Sequence, residues 1–206
     1  MKAIINEPHF YYKDLVLEIT DDILENLSLS INYDQRQYYW PYDMKIDDEE
    51  EYLNFTYNVD RYSNQSFSKD DIFATSGLDE CCLPHVKMNM IIRKNKWMKK
   101  HTYKYAGIAN VVAHELHHLT QDFDLVDYKP GEKLIDYFLN PIEIEAFHIG
   151  FRAEADLSGK SIERCIRLYL DNYLNDNRIN KKEYESIFVK WLNPAIKLLK
   201  GVSNES

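Results

Sequence analysis

The sequence predicts an α+β chain. A small mixed or antiparallel sheet falls within residues 1–103, one helix spans 104–123 and a helical part spans 140–200, in a single domain over 1–206. Three observations predict this. The stretches LNFTYNV (53–59) and VKMNMII (86–92) alternate apolar and polar residues with period two, as half-buried strands do. Between Lys104 and Asp122 there is no proline and Gly107 is the only glycine, while Ile108, Val111, Val112, Leu116 and Leu119 recur at helical spacing. Beyond residue 140 the apolar residues keep that spacing.

Taken in order, 14–29 carries Leu15, Ile19, Ile23 and Leu27 on one helical face. The aromatic stretch 38–42 reads as irregular, and the acidic run 47–51 as a solvated loop or a helix start. The strand over 86–92 leads into a basic run, 93–100, which is either a charged guard on a sheet edge or a lip favouring acidic peptide segments. Asn140-Pro141 reads as an N-cap followed by a first-turn proline. Helices are then expected over 161–174 and 181–200, with Pro194 kinking or breaking the last.

Composition bounds the function. The 206 residues suffice for one core, and a net charge of −9 argues against general nucleic-acid binding. No apolar run approaches the roughly 18 residues of a membrane span, so no membrane partner is expected. The first eight residues lack the long apolar core of a signal peptide, and three cysteines (Cys81, Cys82, Cys165) suggest reduced thiols; both point to a cytoplasmic location. Oligomeric state is not legible.

Within the predicted helix stands His114-Glu115-Leu116-His117-His118, the pattern H-E-x-x-H. Residues four apart on a helix share a face, so His114 and His118 can present two imidazoles to one metal ion. Glu115 lies about 100° around the helix, near enough to polarise a water on that ion without ligating it. With Asn110 and Asp122, the two histidines form a polar stripe on an apolar helix, which needs a partner if buried. His117 reads as a flanking residue.

A catalytic zinc takes three protein ligands and leaves one position open. Candidates for the third are Glu143 and Glu145, which are about 200° apart on a helix. Glu143 shares a face with Leu139, Ala146, Phe147 and Gly150, which looks buried; Glu145 shares one with His148, Ile149, Arg152 and Asp156, which looks polar and solvated. A carboxylate on an apolar face needs a cation, so Glu143 is the choice. Ala146 and Gly150 would let this helix approach another closely.

The run HELHHLTQ … NPIEIEAF resembles the gluzincin branch of the zincin metallopeptidases, and is similar to small metallopeptidase-like proteins of phage genomes. The E-x-x-A element from Glu143 to Ala146 also resembles the ligand helix of repressor-cleaving peptidases and of the anthrax lethal-factor catalytic domain. The likeness covers roughly residues 104–156 and none of the first 80. It implies a zincin-like fold and a zinc-dependent endopeptidase, rather than an exopeptidase, acting on a protein or peptide in the cytoplasm, a host's if the chain is phage-encoded. The zinc ligands would be His114, His118 and Glu143, with Glu115 as general base on the zinc-activated water. Tyr137 would stabilise the oxyanion. Zincins often carry a sheet edge before the metal helix, so 86–92 is expected to be that edge, open to a substrate by strand addition.

Alternatives stay open at this point. Glu145 can replace Glu143. Asp124 falls where the snapalysin type of metzincin places an aspartate ligand, although Gln121 stands where that scheme has glycine. Two histidines and a glutamate also hold other divalent metals. A fourth protein ligand, Asp122 or His117, would instead make a non-catalytic, metal-stabilised binding or regulatory protein. A non-peptidase zinc amidohydrolase would use the same residues on another amide.

Overall fold

The computed structural model describes residues 8–28, 33–39, 52–62, 71–78, 84–93, 102–121 and 133–194. Helix α1 (Pro8–Ser28) is followed by strands β1 (Tyr33–Tyr39), β2 (Tyr52–Tyr62), β3 (Asp71–Leu78) and β4 (Pro84–Arg93). Helices α2 (Thr102–His118), α3 (Leu134–Phe138), α4 (Pro141–Ser158), α5 (Ile162–Asn175) and α6 (Lys181–Leu192) complete the described chain. The architecture is α+β with a mixed sheet. No helix among the described residues is long and apolar enough to cross a membrane.

The sheet runs β1-β2-β4-β3. β1 pairs antiparallel with β2, β2 parallel with β4, and β4 antiparallel with β3. Period-two alternation puts Leu53, Phe55 and Tyr57 of β2 on the same buried face as Val86, Met88 and Met90 of β4, in register at Phe55↔Val86 and Tyr57↔Met88. That face meets Leu15, Val16, Ile19 and Ile23 of α1 and Ile108, Ala109, Val112, Ala113 and Leu116 of α2 in one core.

Two sequence expectations are corrected here. β4 is not an edge; it lies between β2 and β3, and among the described residues the outer strand on that side is β3. The expectation failed because β3 (DIFATSGL) has a weak apolar alternation, so nothing in the sequence announced a strand outside β4. Likewise Tyr38 and Tyr39 are not irregular: they pair with Leu53 and Tyr52 in β1. The basic run beyond Arg93 and the acidic run 47–51 lie outside the described residues, as do Cys81 and Cys82.

A second core gathers around Trp191. Its indole stacks on Phe147 at 4.1 Å between ring centroids and meets Phe138 edge-on at 5.1 Å. Its Nε1–H donates to the Phe138 carbonyl at 2.9 Å, so α3 is tied to α6 by both packing and a hydrogen bond. Fully burying such a side chain contributes on the order of 2 kcal/mol or more. Helix α4 is the wall shared by the two cores. Phe147, Phe151 and Ala155 face the aromatic cluster, while Ile149, Ala153 and Leu157 pack on the core of the sheet.

The helix ends follow local chemistry. Asn140 caps α4, its side chain accepting from the Ile142 N–H at 3.1 Å, with Pro141 in the first turn as expected. Ser161 caps α5. Asn180 and Glu183 close a capping box on α6. α6 stops at Leu192, because Pro194 disfavours helical backbone at Asn193, which sits at φ −129°, ψ 69°. The expected extent of α2 is also corrected. It ends at His118 rather than running to 123. The Thr120 hydroxyl accepts no part in the helix but donates back to the His117 carbonyl at 2.8 Å, and the Thr120 and Gln121 amides close tight turns on His117 and His118.

Candidate metal centre

Helices α2 and α4 pack antiparallel, and the polar stripe of α2 meets α4 residue by residue. Asn110 Nδ2 donates to Glu154 at 2.7 Å. Beside it Gly150 lies so close that a β-carbon there would come within 2.8 Å of the Asn110 carbonyl oxygen. That close approach matches the reading of Ala146 and Gly150 as contact residues. One turn further along α2, His114 packs edge-on against Phe147 at 4.6 Å. One more turn brings both histidines to Glu143.

There the donor atoms converge. His114 Nε2 and His118 Nε2 are 3.0 Å apart. Glu143 Oε2 is 3.3 Å from His114 Nε2, and Oε1 is 3.5 Å from His118 Nε2. A tetrahedral ion with bonds of about 2.0–2.1 Å sets its donors roughly 3.3–3.4 Å apart, so the spacing fits a small divalent cation. Glu143 Oε2 is buried and accepts no hydrogen bond. A buried carboxylate oxygen left so is costly, and a cation among the three side chains would satisfy it. Among the described residues this trio is the group able to hold a metal ion.

The tautomer of His118 follows from its neighbour. Gln121 Nε2 donates to the Ile142 carbonyl at 3.0 Å, which turns Gln121 Oε1 toward His118 Nδ1 at 2.7 Å. The amide oxygen accepts, so Nδ1 carries a proton and Nε2 is the nitrogen that faces His114 and Glu143. Gln121 thereby links the end of α2 to the start of α4, holding together the segments that carry the trio. Replacing Gln121 by Ala is expected to weaken metal affinity about 10–100-fold while leaving the fold intact, as loss of such orienting partners does. Competitive titration against a zinc indicator checks this.

Electrostatics agree with the geometry. Burial alone would raise the Glu143 carboxyl, but His114 and His118 overcome it and hold it down to about 2. Burial likewise opposes a charge on His118, and Glu143 outweighs that and pushes its pKa up. Burial first, then the Glu143 carboxylate, pushes the Tyr137 phenol up, so it stays a donor, hydrogen-bonded to Glu143. Tyr137 reaches this place on α3, which Trp191 anchors through the neighbouring Phe138.

Glu115 is 7% exposed, on the flank of α2 that faces the sheet. Its Oε2 accepts a hydrogen bond from Ser76 Oγ at 2.9 Å, across from β3. It stands close enough to act electrostatically on both His118 and Tyr137.

The other sequence candidates separate. Glu145 is outside the trio, on the far flank of α4, with Oε2 3.8 Å from His117 Nε2. The expectation of a largely solvated face there is corrected in part: His148 is half-buried, with Nδ1 2.9 Å from the Trp191 carbonyl, and Ile149 packs on the sheet core. His117 lies beside Glu145 and outside the trio. Asp122 and Asp124 fall outside the described residues. Ser76 and Gln121 were not found as site residues from sequence. Gln121 stood in the motif's downstream run without any signal beyond its not being glycine, and Ser76 lies in the strand that the periodicity failed to reveal.

Comparison with protein-family models, with curated proteins and with solved structures returns no match for this chain.

Proposed function

We propose that this protein is a zinc-dependent endopeptidase of zincin type, with His114, His118 and Glu143 as metal ligands. The observation that carries the reading is the convergence of two Nε2 atoms and one carboxylate at 3.0–3.5 Å, with the Glu115 carboxylate buried on the adjoining flank of the same helix. Three ligands leave one position of a tetrahedral ion for water or substrate, which supports an enzyme over a closed structural site.

A zinc ion held there supplies Lewis acidity to a water and to the scissile carbonyl. Glu115 accepts a proton from the attacking water as its oxygen bonds to the carbonyl carbon. Glu115 then delivers that proton to the amine nitrogen as the carbon–nitrogen bond breaks. Tyr137, kept protonated by its surroundings, donates to the oxygen that gains negative charge. Among the described residues β3, not β4, is the outer strand on that side, so an extended peptide would pair with β3, beside Glu115.

The test is metal content by plasma mass spectrometry together with cleavage of fluorescein-labelled casein before and after chelation. About one zinc per chain, with cleavage lost to phenanthroline and regained on adding zinc, is the expected result. Stoichiometric zinc without cleavage of casein or short peptides would replace the peptidase with a metal-stabilised binding protein or another amidohydrolase. Absence of metal after incubation with zinc would overturn the site.

A further inference from the structure

We infer that Ser76, on the outer strand β3, is the positioning residue for Glu115. This rests on the peptidase reading above and deepens it by tying the general base to the strand that would receive substrate.

Ser76 pairs with Val86 of β4 in an antiparallel register, and period two puts its side chain on the same face as Ala74, which packs on the core shared with α2. Thr75, on the other face, is exposed, while Ser76 is half-buried. The hydroxyl therefore points at α2, where it donates to Glu115 Oε2 at 2.9 Å. Glutamate has three side-chain torsions, and motion about them would swing the carboxylate by far more than catalysis tolerates. A hydrogen bond from a strand fixed in the sheet removes that freedom. It also occupies Oε2 and leaves Oε1 as the oxygen available to the attacking water. Because a carboxylate accepts and a hydroxyl donates, the contact does not compete with proton uptake at Oε1. Neighbours on β3 would lie alongside a paired peptide, so the same strand sets both substrate position and base position.

The experiment uses full-length protein loaded with zinc. Its probes are casein turnover and acetohydroxamate, a small metal chelator whose own proton can be taken up by a nearby carboxylate. Ser76→Ala is expected to lower kcat about 10–100-fold with KM nearly unchanged, the range for loss of an orienting partner. Acetohydroxamate binding by calorimetry is expected to weaken about tenfold, and adding Glu115→Gln to Ser76→Ala is expected to cost less than Glu115→Gln costs in the wild type. Zinc affinity should stay at the wild-type value, since Ser76 is no ligand. Ser76→Thr keeps the hydroxyl on a residue well suited to strands and should restore both readouts. A double-mutant cycle in urea unfolding of the zinc-free protein checks that the Ser76–Glu115 bond exists in solution, independent of turnover. Wild-type kcat and wild-type hydroxamate affinity in Ser76→Ala would overturn the inference and leave the peptidase reading standing. Equal losses in the Ala and Thr variants would make Ser76 a packing residue and overturn it also. If the zinc-loaded wild type binds hydroxamate but cleaves no peptide, the peptidase reading fails while the hydroxamate cycle still decides whether Ser76 positions Glu115. A wild type that takes up no zinc overturns both.

Discussion

Glu143→Ala is expected to remove the metal. Zinc content should fall from about one per chain to below about a tenth, and the loss of affinity should exceed the roughly 10–100-fold that an outer partner costs, because a ligand itself is gone. The reasoning starts from the carboxylate's surroundings. His114 and His118 hold Glu143 ionised against the cost of its burial, and the two Nε2 atoms lie 3.0 Å apart in front of it. Without Glu143 those imidazoles would face each other with no anion between them, and a divalent cation would lose the carboxylate that offsets its charge at a part-buried position. Plasma mass spectrometry on desalted protein, with circular dichroism to confirm folding, reads the outcome. Retention of zinc by the variant would shift the third ligand to another carboxylate. Glu145 is a poor substitute, since it lies beside His117 on the opposite flank of α4. Asp124 would then be the residue to replace next.

Why was Glu143 legible and Ser76 not? Glu143 sits in a helix whose start is written in the chain, because Asn140 and Pro141 act through local geometry alone. From that start the helical period assigns faces, and a carboxylate among Ala146, Phe147 and Gly150 demands a cation. The His114 and His118 pair was legible for the same reason, a four-residue spacing on one helix. Sheet order is different in kind. It depends on contacts between segments far apart in the chain, and the apolar alternation of β2 and β4 says only that both are half-buried. The likeness to zincins made β4 the expected edge, and nothing in the alternation opposed it, whereas β3, polar and small in its second half, lies outside β4. The end of α2 illustrates a third case. Helical propensity allowed 119–122 to continue, but the Thr120 hydroxyl bonded to the His117 carbonyl, and Gln121 was drawn to His118 and Ile142. The first two bonds are local and the one to Ile142 is tertiary; together they override a weak helical preference.

Glu115→Gln is expected to keep the metal and lose turnover by about 10²–10⁴-fold, the range for removal of a general acid–base group. The substitution is nearly isosteric. Its carboxamide oxygen can still accept from Ser76 Oγ, so the contact between α2 and β3 survives and the buried position remains satisfied. Only proton uptake is lost, because an amide cannot take the proton of water and return it to an amine. Zinc content should equal that of wild type, since Glu115 is not among the three converging donors. This separates Glu115→Gln from Glu143→Ala, which should fail at the metal before it fails at the chemistry. Casein cleavage with zinc content measured on the same samples gives the comparison. Near wild-type cleavage by Glu115→Gln would require another base at the site. A fully active Glu115→Gln would therefore remove the peptidase mechanism proposed for these residues, even with zinc in place.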